Sequence, residues 1–132
     1  MKFILFLTLL FIFIATGSSC KKTAPPSASA TRKIQFNLYT QKDFSGITDD
    51  INFTLLIKEG PHILWDSALA TMKIKDIPDS LHKLTFEKQV TASNDSTLVV
   101  GFLYEIVNVG NSWFLDTCQA SDKFKVVNYP FQ

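Results

Sequence analysis

The sequence predicts an all-β protein in which residues 33–132 form an antiparallel β-sandwich of seven or eight strands. Apolar and polar residues alternate with a period of two in several segments, which is typical of half-buried strands. Clusters of Gly, Pro, Asn and Asp separate these segments at intervals of about 8–14 residues, as expected of turns between short strands. No segment combines a helical period with helix caps. Such regular spacing favours two packed sheets.

The alternation and the turn residues place eight candidate strands along the chain. The segment 97–109, TLVVGFLYEIVNV, is the longest apolar run after the N-terminus and is rich in β-branched and aromatic residues. We therefore expect a central strand covered on both faces. Gly101 within it indicates a bulge or a close approach of another backbone. The predicted strands are 34–39, 51–58, 62–65, 72–77, 84–90, 97–109, 113–117 and 124–129.

One segment carries a resemblance to a known fold. The sequence MKIKDIP at 72–78, followed by a strand from Leu84, resembles the strand, Ile-Pro turn and strand of transthyretin-like and carboxypeptidase regulatory-like domains. Those domains have Gly after the Pro, whereas this chain has Asp79. The resemblance implies a transthyretin-like sandwich. An immunoglobulin-like sandwich is the alternative, without the Cys–Trp–Cys set of antibody domains.

The N-terminus has the pattern of an export signal. Met1 and Lys2 precede an almost unbroken apolar run, FILFLTLLFIFIA, over residues 3–15. That run has the length of a signal-peptide core and is short for a membrane span. Residues 1–19 are therefore predicted to be a signal helix that is removed.

The segment TGSSC, which ends at Cys20, resembles the lipobox of bacterial lipoproteins. Gly17 departs from it, because Leu is the commonest residue there. The resemblance implies cleavage between Ser19 and Cys20, lipidation of Cys20 and attachment to a membrane through that lipid. Lys21 after the Cys implies an outer membrane, with the protein facing the periplasm. An ordinary secretory peptide and an uncleaved N-terminal helix are the alternatives.

The residues after Cys20 separate the anchor from the domain. The run KKTAPPSASAT at 21–31 contains two adjacent prolines and small polar residues, which cannot build a core. Residues 20–32 are therefore predicted to be the lipidated Cys and a flexible tether, and residues 33–132 the sandwich.

The charge balance excludes one class of partner. The chain carries 13 Lys and Arg against 12 Asp and Glu, so its net charge is +1, and loss of Lys2 with the signal peptide brings it to zero. Nucleic-acid binding needs concentrated positive charge. We therefore expect no nucleic-acid partner.

The residues capable of catalysis are few and do not form a motif. His62 and His82 are the two histidines, and they are too few for a zinc site with typical spacing. Ser67 lacks the Gly-x-Ser-x-Gly elbow of serine hydrolases. With Cys20 lipidated, Cys118 would be the single free thiol and is expected to be a buried structural residue. We expect no enzyme activity and no cofactor.

Two groups of side chains are candidate ligand sites. Asp43, Asp49 and Asp50 place carboxylates in one loop and are weak calcium candidates, although a plain turn has the same composition. Otherwise no metal site is predicted. Exposed aromatic residues on one face could bind a sugar, but the tryptophans of a small sandwich usually fill its core. The aromatic candidates are Tyr39, Trp65, Tyr104 and Trp113.

These observations lead to one main hypothesis. The chain is expected to be a lipid-anchored protein of the cell envelope whose sandwich is a non-catalytic binding or structural module, with an envelope protein or a glycan as partner. A carbohydrate-binding module that uses exposed aromatics is the first alternative. An enzyme with an unrecognised site is the second.

Overall fold

The computed structural model describes residues 27–132, and these residues form an all-β sandwich, as predicted. Its elements alternate with short loops, and its one helical element is a 3-10 turn, η1. The predicted signal helix lies outside the described residues. The elements are β1 (Ser29–Thr40), β2 (Asp50–Glu59), β3 (His62–Ala68), β4 (Met72–Lys73), η1 (Ile74–Asp76), β5 (Leu84–Ser93), β6 (Leu98–Ile106), β7 (Gly110–Cys118) and β8 (Phe124–Phe131).

The smaller sheet has three strands in the order β5-β1-β8. β1 pairs with β5 in antiparallel register, with Phe36 opposite Phe86. β1 pairs with β8 in parallel register, with Phe36 opposite Val127. The described strand pairs of the sandwich are therefore antiparallel, as predicted, except for this one parallel pair. Parallel neighbours need a crossover connection, and here the strands of the other sheet lie in the chain between β1 and β8.

The larger sheet has five strands, all antiparallel, in the order β3-β2-β6-β7, and the short β4 pairs with the start of β2. A register shift between Ile57 and Lys58 marks an irregularity in the β2–β3 pair. The β6–β7 pair keeps one register from Leu98 to Ile106. Of the two alternatives predicted for Gly101, a bulge is therefore not found in the β6–β7 pair.

The core lies between the two sheets and is rich in aromatic side chains. Alternate residues of each strand point inward, which accounts for the period of two in the sequence. The rings of Phe36 and Phe102 meet edge to face at 5.7 Å, a favoured geometry for aromatic pairs. The fully buried large apolar residues are Ile34, Phe36, Leu38, Ile51, Phe53, Leu55, Ile57, Leu98, Val100, Phe102 and Val127.

β1 begins at Ser29, four residues before the predicted domain start at Lys33, so the last residues assigned to the tether belong to the sandwich. Arg32 explains the difference, because its side chain is buried. Its guanidinium donates hydrogen bonds to the carbonyl oxygens of Ser93 (2.5 Å) and Ser96 (2.6 Å). From the sequence, a charged residue beside a Pro/Ser run is expected to be exposed to solvent. In the structure, Arg32 instead connects β1 to the end of β5 and the β5–β6 loop.

The two ends of the sandwich are distinct. Ser29 pairs with Ser93 at one end, and the backbone N–H of Ser93 donates to the Glu59 carboxylate of the other sheet (3.0 Å). This end, called here the Ser29 end, carries the loops 60–61, 94–97 and 119–123. The opposite end, the Thr40 end, carries the loops 41–49 and 77–83 and the turn 107–109.

The predicted strand 72–77 is correct over two residues. Met72 and Lys73 pair with β2, and Ile74–Asp76 then form the 3-10 turn. Ile74 and Ile77 are nevertheless buried. Their apolar character produced the strand-like pattern, since a 3-10 turn also directs spaced apolar residues into a core.

Between residues 27 and 132, no helix is long and apolar enough to cross a membrane.

Candidate binding surface on the five-stranded sheet

The outer face of the five-stranded sheet exposes large apolar side chains, in contrast to the prediction that β6 is covered on both faces. Trp113 is 68% exposed, Leu115 43% and Leu103 37%. The inner face of β6 is buried as expected, with Val100 and Phe102 at 0%. The apolar run in β6 thus has a core on one side and solvent on the other. These three exposed residues define what we call the outer patch.

The register of β2, β6 and β7 assembles the patch. Leu103 pairs with Trp113 on β7 and with Thr54 on β2. One row further on, Gly101 pairs with Leu115 and with Leu56. Side chains at paired positions of neighbouring strands share a face and lie side by side, so the three patch residues form one continuous surface.

Gly101 allows β7 to lie close at the centre of this surface. A Cβ at Gly101 would lie 2.9 Å from the Cα of Leu115 and closer still to the carbonyl oxygen of Phe114. The predicted close backbone approach is therefore confirmed. Leu56, which pairs with Gly101 on the other side, is 6% exposed although it points away from the core.

A shallow depression of about 340 Å³ borders the patch toward the Thr40 end. Its apolar part comes from Leu103 and Trp113, and its polar part from the next row, in which Glu105 pairs with both Asn52 and Asn111. Of the described residues that line it, Glu105 alone is charged. The lining residues are Asn52, Thr54, Leu103, Tyr104, Glu105, Asn111, Ser112 and Trp113.

Hydrogen bonds hold part of the polar row in place. The hydroxyl of Thr71 donates to Asn52 Oδ1 (2.7 Å), and Asn52 Nδ2 donates to Glu105 Oε2 (3.4 Å). The Asn52 amide is thereby fixed with its nitrogen toward the carboxylate. The second carboxylate oxygen of Glu105 has room for further donors, since a carboxylate accepts about four hydrogen bonds.

The structure separates the four aromatic candidates. Tyr39 lies on the outer face of the three-stranded sheet, where the Lys83 ammonium sits 5.8 Å from its ring centre. Trp65 points inward, 6.2 Å from the ring of Phe36. Tyr104 and Trp113 both border the depression, but Trp113 points outward, whereas the ring of Tyr104 points inward and lies 5.8 Å from that of Phe53. The expectation that tryptophans fill the core is confirmed in part for Trp65, which is partly buried, and is wrong for Trp113, which is exposed.

Tyr104 also belongs to an aromatic cluster at the Thr40 end. Its ring lies 5.9 Å from that of Tyr129, which in turn stacks on Phe114 at 4.6 Å. Burial raises the pKa of the Tyr129 phenol, and the neighbouring Tyr104 adds to the effect. This hydroxyl stays protonated, so the cluster is a neutral part of the core on the inner side of the sheet.

The calcium candidates are engaged with their own neighbours. Asp43 Oδ1 accepts the backbone N–H of Ser45 (2.9 Å), and this bond lowers the pKa of the Asp43 carboxyl. Asp50 Oδ1 forms an ion pair with Lys73 (3.0 Å), while Asp49 is exposed. Within residues 27–132, no group of three or more His, Cys, Asp and Glu side chains could hold a metal ion.

The catalytic candidates do not converge. His82 Nδ1 lies 2.9 Å from Asp79 Oδ1 in an exposed turn, where Asp79 also accepts the backbone N–H groups of Leu81 and His82. The hydrogen bond with His82 lowers the pKa of Asp79. This is a capped turn. His62 is exposed at the start of β3 and lies outside the depression.

Cys118 is buried at the Ser29 end, as predicted. Burial raises the pKa of its thiol, although the nearby Arg32 guanidinium opposes the effect. The predicted processing residues, Ser19 and Cys20, lie outside the described residues.

The most informative residues of the surface were missed from the sequence. Leu103 and Glu105 fall in the strand predicted to be covered on both faces, and Leu115 falls in the predicted strand 113–117. Asn111 falls in a predicted turn, and Asn52 is an ordinary outward position of the predicted strand 51–58. One signal could have found them, because an apolar run too continuous for a half-exposed strand implies a second apolar face. The chain matches no protein-family model, no curated protein and no solved structure.

Proposed function

We propose that this chain is a lipid-anchored protein of the bacterial cell envelope whose sandwich is a non-catalytic binding module. The outer face of the five-stranded sheet is its binding surface. The single observation that carries the surface assignment is the exposure of Trp113, Leu103 and Leu115 side by side. Contiguous exposed apolar side chains on a small domain are typical of interaction sites.

The energetics of the patch support a partner. Full burial of a large apolar side chain is favourable by about 1.5–3 kcal/mol. The three patch residues are 37–68% exposed, so a ligand that covers them would recover a part of that gain from each. The polar row beside them supplies hydrogen-bonding groups, as the rim of a specific site requires.

The position of β1 supports the proposed orientation on a membrane. Cys20 precedes Ser29 by nine residues, which span at most about 30 Å. The Ser29 end would therefore lie nearest the bilayer. The depression lies toward the Thr40 end, so the binding surface would face sideways and outward, into the periplasm if the anchor sits in an outer membrane.

The anchor has a direct test. Cells that express the chain are grown with a radioactive fatty acid, and the wild type is compared with the Cys20→Ser variant. We expect label on the wild type and none on the variant. Label that persists on Cys20→Ser would contradict the lipidation.

The surface has a separate test in cells. A photo-activatable benzoyl-phenylalanine replaces Leu115 on the outer face or, as a matched control, the exposed Gln89 on the outer face of the other sheet. We expect discrete cross-linked products from position 115 and few from position 89. The reverse pattern would place the binding surface on the three-stranded sheet.

A further inference from the structure

We infer that the depression beside Trp113 is a site for one uncharged pyranose ring of an envelope polysaccharide. This inference rests on the proposed function and adds the chemical class of the ligand. It depends on the pairing of an exposed aromatic face with a row of amide and carboxylate groups.

The apolar part of the depression suits the face of a sugar ring. A pyranose presents C–H groups on one face and hydroxyls around its edge. Trp113 and Leu103 are cross-strand neighbours and offer a wide indole ring and a branched side chain as one platform. Aromatic rings attract the positively polarised edges of C–H groups. Because β7 is the edge strand, the platform is open on one side, where a longer glycan could continue.

The polar part suits hydroxyl groups. Asn52, Glu105 and Asn111 occupy one row across three strands, next to the row that contains Leu103 and Trp113. A carboxylate accepts from two hydroxyls, while an amide both donates and accepts. The Thr71–Asn52–Glu105 chain of hydrogen bonds orients this row before a ligand arrives, which lowers the entropic cost of binding.

Charge selects among possible ligands. Glu105 is the single charged group among the described lining residues. A phosphate or a uronic acid would be repelled by that carboxylate, whereas a neutral sugar would donate hydrogen bonds to it. The volume of about 340 Å³ is at the small end of ligand sites. It therefore fits one ring better than a peptide segment.

The chain provides its own reporter for this binding. It contains two tryptophans, Trp65 and Trp113. In the Trp65→Phe variant the remaining tryptophan lies in the proposed site, while the replaced one lies on the other side of the sheet. The full lipidated variant is held in a detergent without a sugar headgroup. It is titrated with trimers of N-acetylglucosamine and of glucose, and with trigalacturonate as the acidic control.

We expect the fluorescence of Trp113 to change saturably with at least one neutral trimer and not with trigalacturonate. The dissociation constant should be on the order of 1 mM, as for a ligand with few buried atoms. In the chain with Trp65 intact, calorimetry should show at least about tenfold weaker binding for Trp113→Ala and partial rescue by Trp113→Phe. Glu105→Gln should weaken neutral-sugar binding and reduce the discrimination against trigalacturonate.

Two results would overturn the inference. One is the absence of any fluorescence change with both neutral trimers at concentrations well above that constant. The other is binding that Trp113→Ala leaves intact. If position 115 still gives cross-links to a protein in cells while no sugar binds, the proposed surface stands and its ligand is a protein. If position 115 gives none, both proposals fail.

Discussion

Single residues at the centre of the five-stranded sheet decide how its strands pack. Gly101 faces the backbone of β7, and any side chain there must push Phe114 and Leu115 away. Arg32 and Cys118 have a similar structural role at the Ser29 end, where both are buried. In each case the residue type follows from space or polarity in its immediate surroundings.

Gly101→Ala should destabilise the fold by about 2–3 kcal/mol, because a methyl group at this position overlaps main-chain atoms that cannot rotate away. Gly46→Ala is the matched control, since nothing lies within 4 Å of its added methyl. Urea unfolding followed by tryptophan fluorescence gives both values. Equal stability of the two variants would contradict the close approach of β7.

Cys118 should resist thiol reagents while the chain is folded. Its raised pKa favours the neutral thiol, and the thiolate is the reactive form. In the Cys20→Ser variant, which leaves Cys118 as the single cysteine, we expect slow reaction with a disulfide reagent at pH 8 and fast reaction in denaturant. Since the unfolded thiol ionises near 9.0, the contribution of this group to stability should decline as pH rises above that value. Rapid reaction of Cys118 in the folded protein would contradict its burial.

At the scale of elements, β7 and β8 join the two sheets along one side of the sandwich. Lys125 on β8 forms an ion pair with Asp116 on β7, with 2.7 Å between Nζ and Oδ2. Burial opposes ionisation of Asp116, yet hydrogen bonds from Lys125 and from the backbone of Thr117 prevail and lower its pKa. The ion pair therefore stabilises the contact between β7 and β8 when the Asp116 carboxyl is ionised.

Asp116→Asn should cost about 0.5 kcal/mol at pH 7, because a partly exposed pair is screened by solvent. A lowered folded pKa adds stability above the unfolded pKa, and this stability is lost as pH falls through the folded value. The difference between variant and wild type should thus shrink as pH falls below the ordinary pKa of 3.8 and vanish below the lowered pKa of the folded state. Glu87→Gln, which breaks the more exposed Lys33–Glu87 pair, is the control. A loss of stability that does not depend on pH would contradict this role.

The elements also show what the sequence could predict. Alternation located the strands well, because inward positions such as Phe53 and Phe102 must be apolar. It could not reveal that β8 pairs in parallel with β1, since that depends on which edge the last strand joins. Nor could it show that Leu103 and Leu115 are exposed, because an apolar residue has the same pattern whether a second sheet or a ligand covers it. The polar row of Asn52, Glu105 and Asn111 forms only through the register of three strands.

At the scale of the whole molecule, the proposed anchor, the short connection to β1 and the outer patch form one arrangement. The Ser29 end would face the membrane, and the patch would be presented along the side of the sandwich. The proposed tether would be shorter than residues 20–32, because residues 29–32 are part of β1. If the proposed lipid anchor is present, the domain would lie closer to the bilayer, and its partner would lie within the same layer of the envelope.

The central claim is that the outer patch is occupied in the cell. Hydroxyl-radical footprinting of the purified chain and of the same chain in intact cells measures this directly. We predict that Trp113, 68% exposed, is oxidised readily in the purified protein and protected in the envelope. Leu81, 86% exposed at the Thr40 end, should be oxidised to the same extent in both. Equal oxidation of Trp113 in the two samples would contradict the claim.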